Sequence, residues 1–247
     1  MRKAKETDYW DKVYKRKYSS NLLSVELNGL NNLQEISFSN GITAICGLNG
    51  AGKSTLTKAL SGVINCDSGE LFFDGKQVDL SNYSPAVARD LGIRVVHQEL
   101  SLCKNLTVYE NFYVEQSQSM KGGLGWRKKA RQMAREALDN VFPGNDIDVN
   151  LGLEKLSIAQ QQMVEIAKAV SRDSKLLILD EPTNHLDLES ITSLNDGLEN
   201  FKGCVLMTSQ DRELMNTVCN RIIEIDGGKV YDRPVNYDAY LEERVIK

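Results

Sequence analysis

The nine residues Gly47-Leu48-Asn49-Gly50-Ala51-Gly52-Lys53-Ser54-Thr55 constrain this chain more than any other segment. They fit the pattern G-x-x-x-x-G-K-[ST] with one further Thr. The apolar run Ile42 to Cys46 precedes them and reads as a buried strand. Leu56-Thr57-Lys58-Ala59-Leu60 follows and reads as a helix. In that context the glycines let the backbone curl with its N–H groups pointing inward, at the positive end of a helix dipole. Lys53 is then placed to reach the outer phosphates of a ligand, and the Ser54 hydroxyl to sit on Mg²⁺. The pattern predicts a nucleoside triphosphate held by Gly47, Asn49, Gly50, Ala51, Gly52, Lys53, Ser54 and Thr55.

A chain of 247 residues can bury a sizeable core, as one large or two small domains. A net charge of −4 argues against a general nucleic-acid binder. No apolar run approaches the roughly 18 residues of a membrane span, and no signal peptide is visible, so any membrane role is expected to come through a partner. The cysteines Cys46, Cys66, Cys103, Cys204 and Cys219 are odd in number and form no C-x-x-C pair. They read as small residues of a reducing cytosol rather than as a disulfide framework.

Residues 1–20 differ from the rest: seven Lys and Arg face three acids, with Trp10, Tyr14 and Tyr18 at four-residue spacing. They read as a basic N-terminal extension, with a short amphipathic helix possible. Residues 21–247 read as one nucleotide-binding domain. Leu23 to Leu27 and Leu33 to Phe38 alternate like strands. Gly69 to Gly75 reads as a strand entering a tight turn, and Gly92 to Val96 as a buried strand. Residues 99–171 are mostly helical in pattern, broken by a loop at Lys121 to Gly125. Lys175 to Asp180, Cys204 to Thr208 and Arg221 to Ile225 are later strands, with Asp226 to Lys229 as a hairpin turn. Strands alternating with helices around a phosphate loop predict an α/β fold with a largely parallel sheet.

Three further segments fit the same chemistry. Leu176 to Leu179 runs apolar into Asp180-Glu181. In a phosphate-loop enzyme that places Asp180 on the Mg²⁺ shell and Glu181 where it can polarise an attacking water. Gln98 follows a predicted strand, and its amide oxygen could ligate Mg²⁺ or the water. Ser157 is a good N-cap for the helix through Ile158, Ala159 and Gln160, whose apolar face would be Ala159, Met163, Ile166, Ala167 and Val170.

Together these residues resemble the ATP-binding cassette family, over about residues 22–240. The resemblance implies a phosphate-loop core with an antiparallel β subdomain and a helical subdomain at about 99–171. It also implies ATP and Mg²⁺ as cofactors, sandwiched between two cassettes. Lys53 and Ser54 correspond to Walker A, Gln98 to the Q-loop, and Ser157, Ile158, Ala159 and Gln160 to the signature segment. Asp180 and Glu181 correspond to Walker B and its carboxylate, and Leu186-Asp187 to the D-loop. The active unit is then a dimer, because one cassette supplies half of each site.

Up to about Thr183 the chain is similar to the ATPases of bacterial importers of ribose, galactose and xylose type. His97 to Leu102, Asn105 to Asn111 and Leu156 to Ala169 carry that likeness. Asn184 to Ser190, Asp211 to Leu214 and Asn236 to Glu242 instead look like the ribosome-associated ABC-F family. The importer likeness implies transmembrane permease partners and a cytoplasmic place on the inner membrane face; the ribosome is the alternative partner. Both groups usually carry two cassettes per chain, and this sequence shows one. No aromatic stands near Leu27, where one commonly stacks on adenine. Gln210 occupies the place of the family's switch histidine. A Gln amide donates a hydrogen bond but carries no proton, so ATP binding with slow turnover is expected, with Lys53, Glu181 and Gln210 as the catalytic set.

Overall fold

In the computed structural model, residues 23–27, 34–38, 41–66, 69–114, 124–171 and 174–245 are described. The possible helix around Trp10, Tyr14 and Tyr18 lies outside them. Parallel strands β3 (Gly41–Cys46), β6 (Ile93–Val96), β7 (Leu176–Asp180), β8 (Cys204–Thr208) and β9 (Arg221–Asp226) share a sheet with β10 (Lys229–Arg233). The order is β10-β9-β3-β8-β7-β6, and only β10 runs antiparallel, on β9. A second sheet is wholly antiparallel: β1 (Leu23–Leu27), β2 (Gln34–Phe38), β4 (Leu71–Phe73) and β5 (Lys76–Gln77), in the order β2-β1-β4-β5.

The helices are α1 (Lys53–Leu60), α2 (Pro85–Leu91), α3 (Val108–Val114), α4 (Trp126–Val141), α5 (Ile158–Val170), α6 (Leu188–Glu199), α7 (Arg212–Val218) and α8 (Tyr237–Val245). They explain why β7 and β8 are apolar on both faces: a parallel sheet covered on two sides has no wet face. Alternate residues of one strand serve two cores. Leu177, Leu179, Val205, Met207 and Ile222 face a cluster with α3 to α8, while Leu176, Ile178, Leu206, Ile223 and Ile225 face one with α1, α2 and the antiparallel sheet. The predicted hairpin turn joins β9 to β10 through Gly227 and Gly228, at φ 55° and 71°, the left-handed pair a two-residue hairpin needs.

Three local differences have physical causes. The helix after the phosphate loop starts at Lys53 rather than Leu56, because its first turn is polar and carries no apolar periodicity. The span 99–171 is less helical than its pattern. The start of α3 and the irregular segment before α5 are tied together: Leu153 N–H donates to Leu106 O (3.0 Å), Val108 N–H to Leu151 O (3.0 Å) and Tyr109 N–H to Val149 O (3.0 Å), which satisfies free N–H groups at that helix end. The Asn111 amide completes that tie by bonding Cys103 N, Cys103 O and Thr107 O. Finally, α5 is buried from Gln161 to Ala169 on all sides rather than along one face, being packed against both α4 and β6.

Candidate nucleotide site

The loop after β3 turns on glycines with positive φ: Gly47 at 149°, Gly50 at 84° and Gly52 at 105°. At Gly47 the reason is contact as well as torsion. A Cβ there would stand 2.4 Å from the carbonyl oxygen of Ile225 on the neighbouring strand. Ala51 N–H donates to Leu48 O at 3.0 Å and closes the curl. Gly52 caps α1, so Lys53, Ser54 and Thr55 form its first turn with no acidic residue among them. An anion therefore meets the positive end of the helix dipole without a competing carboxylate. Lys53 Nζ donates to Gly47 O at 2.7 Å and Leu48 O at 3.2 Å, which folds the ammonium over the mouth of the loop.

That mouth opens into a cleft of about 750 Å³. The parallel pairing of β7 with β8 sets Asp180 beside Thr208. Thr208 Oγ1 donates to Asp180 Oδ1 at 2.5 Å, which orients the carboxylate. Glu181, next along the chain, takes a left-handed φ of 51°. Its N–H donates to Thr208 O at 2.9 Å, and its Oε2 accepts from the Gln210 backbone N–H at 3.1 Å. Burial raises the Glu181 pKa above the ordinary glutamate value, and the Asp180 charge adds to this, while the Gln210 N–H and Lys53 oppose it. A carboxylate raised in this way is a better proton acceptor. The strained backbone continues to His185, at φ 77°, the kind of outlier that collects at working sites.

The cleft brings together most of the residues singled out from sequence. Gly47, Asn49, Gly50, Gly52, Lys53, Ser54, Thr55, Gln98, Asp180, Glu181 and Gln210 all line it. Ala51 packs beneath it, against the apolar cluster on the α1 side of the sheet. Ser157, Ile158, Ala159 and Gln160 do not line it. Ser157 caps α5 in a reciprocal box with Gln160, at 3.1 and 3.2 Å. Ile158 is 56% exposed beside it. Sequence reasoning missed Asn184, Thr208, Tyr237 and Arg244, which also line the cleft. The β7–β8 pairing could have pointed to Thr208; nothing local marked Tyr237 or Arg244.

Ser54, Gln98 and Asp180 offer a hydroxyl, an amide oxygen and a carboxylate on one cleft. An all-oxygen donor set suits a hard divalent cation such as Mg²⁺. No cluster of three or more His, Cys, Asp or Glu able to hold a metal exists among the described residues.

The sequence matches the ABC transporter family over residues 30–184. It is 34% identical over 208 residues to a ribose import ATP-binding protein of Clostridium perfringens, covering 82% of this chain and 40% of that protein. It is 37% identical over 237 residues to a ribose import ATP-binding protein of Hahella chejuensis, covering 90% of this chain and 46% of the relative. The chain thus spans less than half the length of these relatives, and the second alignment carries the importer likeness past Thr183 into the C-terminal third. Among solved structures, CbiO1 of Clostridium perfringens, part of the ABC transporter complex CbiONQ, superposes with a TM-score of 0.72 at 25% identity, over 92% of this chain and 93% of its own. Motif, cleft and alignments agree: this chain belongs to the ABC transporter family and has the α/β fold of its ATPase cassettes.

Proposed function

We propose that this chain is an ATP-binding and ATP-hydrolysing cassette that energises transmembrane partners, in carbohydrate import. The observation that carries the reading is a division of labour. Phosphate loop, Gln98, Asp180, Glu181 and Gln210 share one cleft, while the signature segment at Ser157 to Gln160 stands on a separate exposed surface. One chain therefore offers two half-sites. A second cassette completes them, and closure of the pair on ATP is the motion a permease would use. The names of the ribose import relatives support sugar as the cargo class. The chain divides into a basic segment at 1–20 and a cassette at 21–247, whose helical part at about 99–171 would face the permease. The cassette acts in the cytoplasm, on the inner face of the membrane; no described helix is long and apolar enough to cross one.

The backbone N–H groups of the loop and the Lys53 ammonium hold the β- and γ-phosphates. Ser54, Asp180 and Gln98 would hold Mg²⁺, which supplies charge neutralisation on those phosphates when bound. Glu181, with its raised proton affinity, orients a water and takes up its proton. Gln210 lines the same cleft and is held beside Glu181 by its own backbone N–H. It donates a hydrogen bond toward the γ-phosphate but carries no positive charge, which makes turnover slow.

Phosphate release by the purified chain with Mg²⁺ and ATP tests the reading. Wild type should release phosphate slowly. Glu181→Gln should bind ATP without releasing it, and Lys53→Ala should lose binding. Wild-type protein that is folded and takes up no ATP would falsify the proposal.

A further inference from the structure

The cleft has a wall that the phosphate-loop chemistry leaves unused. It comes from α8, which packs on α7 and β9. Tyr237 and Arg244 of this helix line the same cleft as Lys53 and Ser54. Arg244 Nη2 lies 3.0 Å from Glu224 Oε1. Glu224 stands on β9 as the register partner of Cys46, and Cys46 is the residue that enters the phosphate loop. Its residue exposure is 8%, and the Tyr240 hydroxyl hydrogen-bonds to it.

A carboxylate is thus buried at the base of the loop expected to hold a polyphosphate. Left alone, its charge has the wrong sign for that ligand. The Cys46 thiol reports the local field. Burial and then Glu224 push it up to about 11, while Lys53 and Arg244 pull it down. Two other charged residues of α8 are engaged elsewhere: Asp238 pairs with Arg212 at 2.7 Å, and Glu243 with Arg233 at 3.7 Å.

We propose that Arg244 is a positioning residue of the nucleotide cleft, cancelling the Glu224 charge beneath the phosphate loop so that a polyphosphate can settle there. The inference rests on the nucleotide reading above. It makes the last helix part of the ligand site, where nothing in the phosphate-loop motif calls for it. Arg244 is half exposed but Glu224 is buried, so breaking a pair that served the fold alone would cost stability and leave ligand affinity untouched. A charge-balancing role shows instead in affinity, and it depends on Glu224 being charged.

The test is calorimetric titration of the full chain with MgATP and, separately, with inorganic tripolyphosphate. The proteins are wild type, Arg244→Ala, the double variant Arg244→Ala/Glu224→Gln, and Lys53→Ala. Arg244→Ala should weaken both ligands by about tenfold, less than a contact pair of charges near a protein surface would give, because Glu224 acts from beneath the loop. The double variant should return to within about threefold of wild type, because the carboxylate that Arg244 cancels is gone. Unchanged affinity in Arg244→Ala overturns the inference alone, provided that wild type binds and Lys53→Ala does not. A double variant as weak as the single one also overturns it, since Arg244 would then be acting on the ligand or on the fold rather than through Glu224. Wild type that binds neither probe overturns the nucleotide reading and this inference together.

Discussion

Replacing Gly47 by alanine tests how tightly the sheet and the phosphate loop are built into each other. Alanine at φ +149° adopts a backbone conformation rare for an L residue, at a cost of about 1–3 kcal/mol. Its Cβ would also stand 2.4 Å from Ile225 O, where real contacts keep at least 3.0 Å, so strand or loop must move by at least 0.6 Å. The clashing atom cannot swing away, because Ile225 contributes backbone from β9, a strand paired on both sides by β3 and β10. Forced repacking of this kind adds about 1–3 kcal/mol. The total, about 2–6 kcal/mol, should lower the urea midpoint and reduce Tm by roughly 10 °C for a chain of this size. A loop displaced by that much also loses ligand alignment, so MgATP affinity should fall by on the order of 10²-fold. Gly50→Ala is the control: its Cβ would meet nothing within 4 Å, so only the torsional cost of about 1–3 kcal/mol remains. The reasoning is refuted if Gly47→Ala unfolds within about 0.5 kcal/mol of Gly50→Ala and binds MgATP as wild type does.

Gln210→His should raise steady-state phosphate release by on the order of 10²-fold, by restoring a cationic contact in the transition state; an unchanged rate argues against Gln210 as the brake. Glu181 has a raised folded-state pKa, so its protonated form contributes stability below the ordinary value of 4.5 that is lost as pH rises through the raised one. In thermal melts without nucleotide or metal, Glu181→Gln should therefore melt above wild type at pH 7, with the gap closing as pH falls below 4.5; a gap that persists at low pH contradicts the shift. Asn111→Ala should cost about 2–4 kcal/mol in chemical denaturation, because it strips partners from Cys103 N, Cys103 O and Thr107 O; a loss below about 0.5 kcal/mol would show that water replaces the amide.

The nine-residue loop, the two acids after Leu179 and the Ser157 cap were legible in the sequence because each is local. Glycine torsions, an apolar strand ending at a charge and a capping hydroxyl need only a few neighbouring residues. The same locality made the strands of the parallel sheet readable as unbroken apolar runs. What the sequence could not show is which of these pieces meet. Strand order sets Asp180 beside Thr208 and Cys46 beside Glu224, and strand order depends on long-range packing that no spacing encodes. The same is true of the irregular stretches around Leu106 and Leu151, which trade backbone hydrogen bonds across the helix pair. Tyr237 and Arg244 make the point most sharply. They reach the cleft only because β9 lies next to β3 and α8 folds back against it, so a chain position far from the loop comes to share its electrostatics.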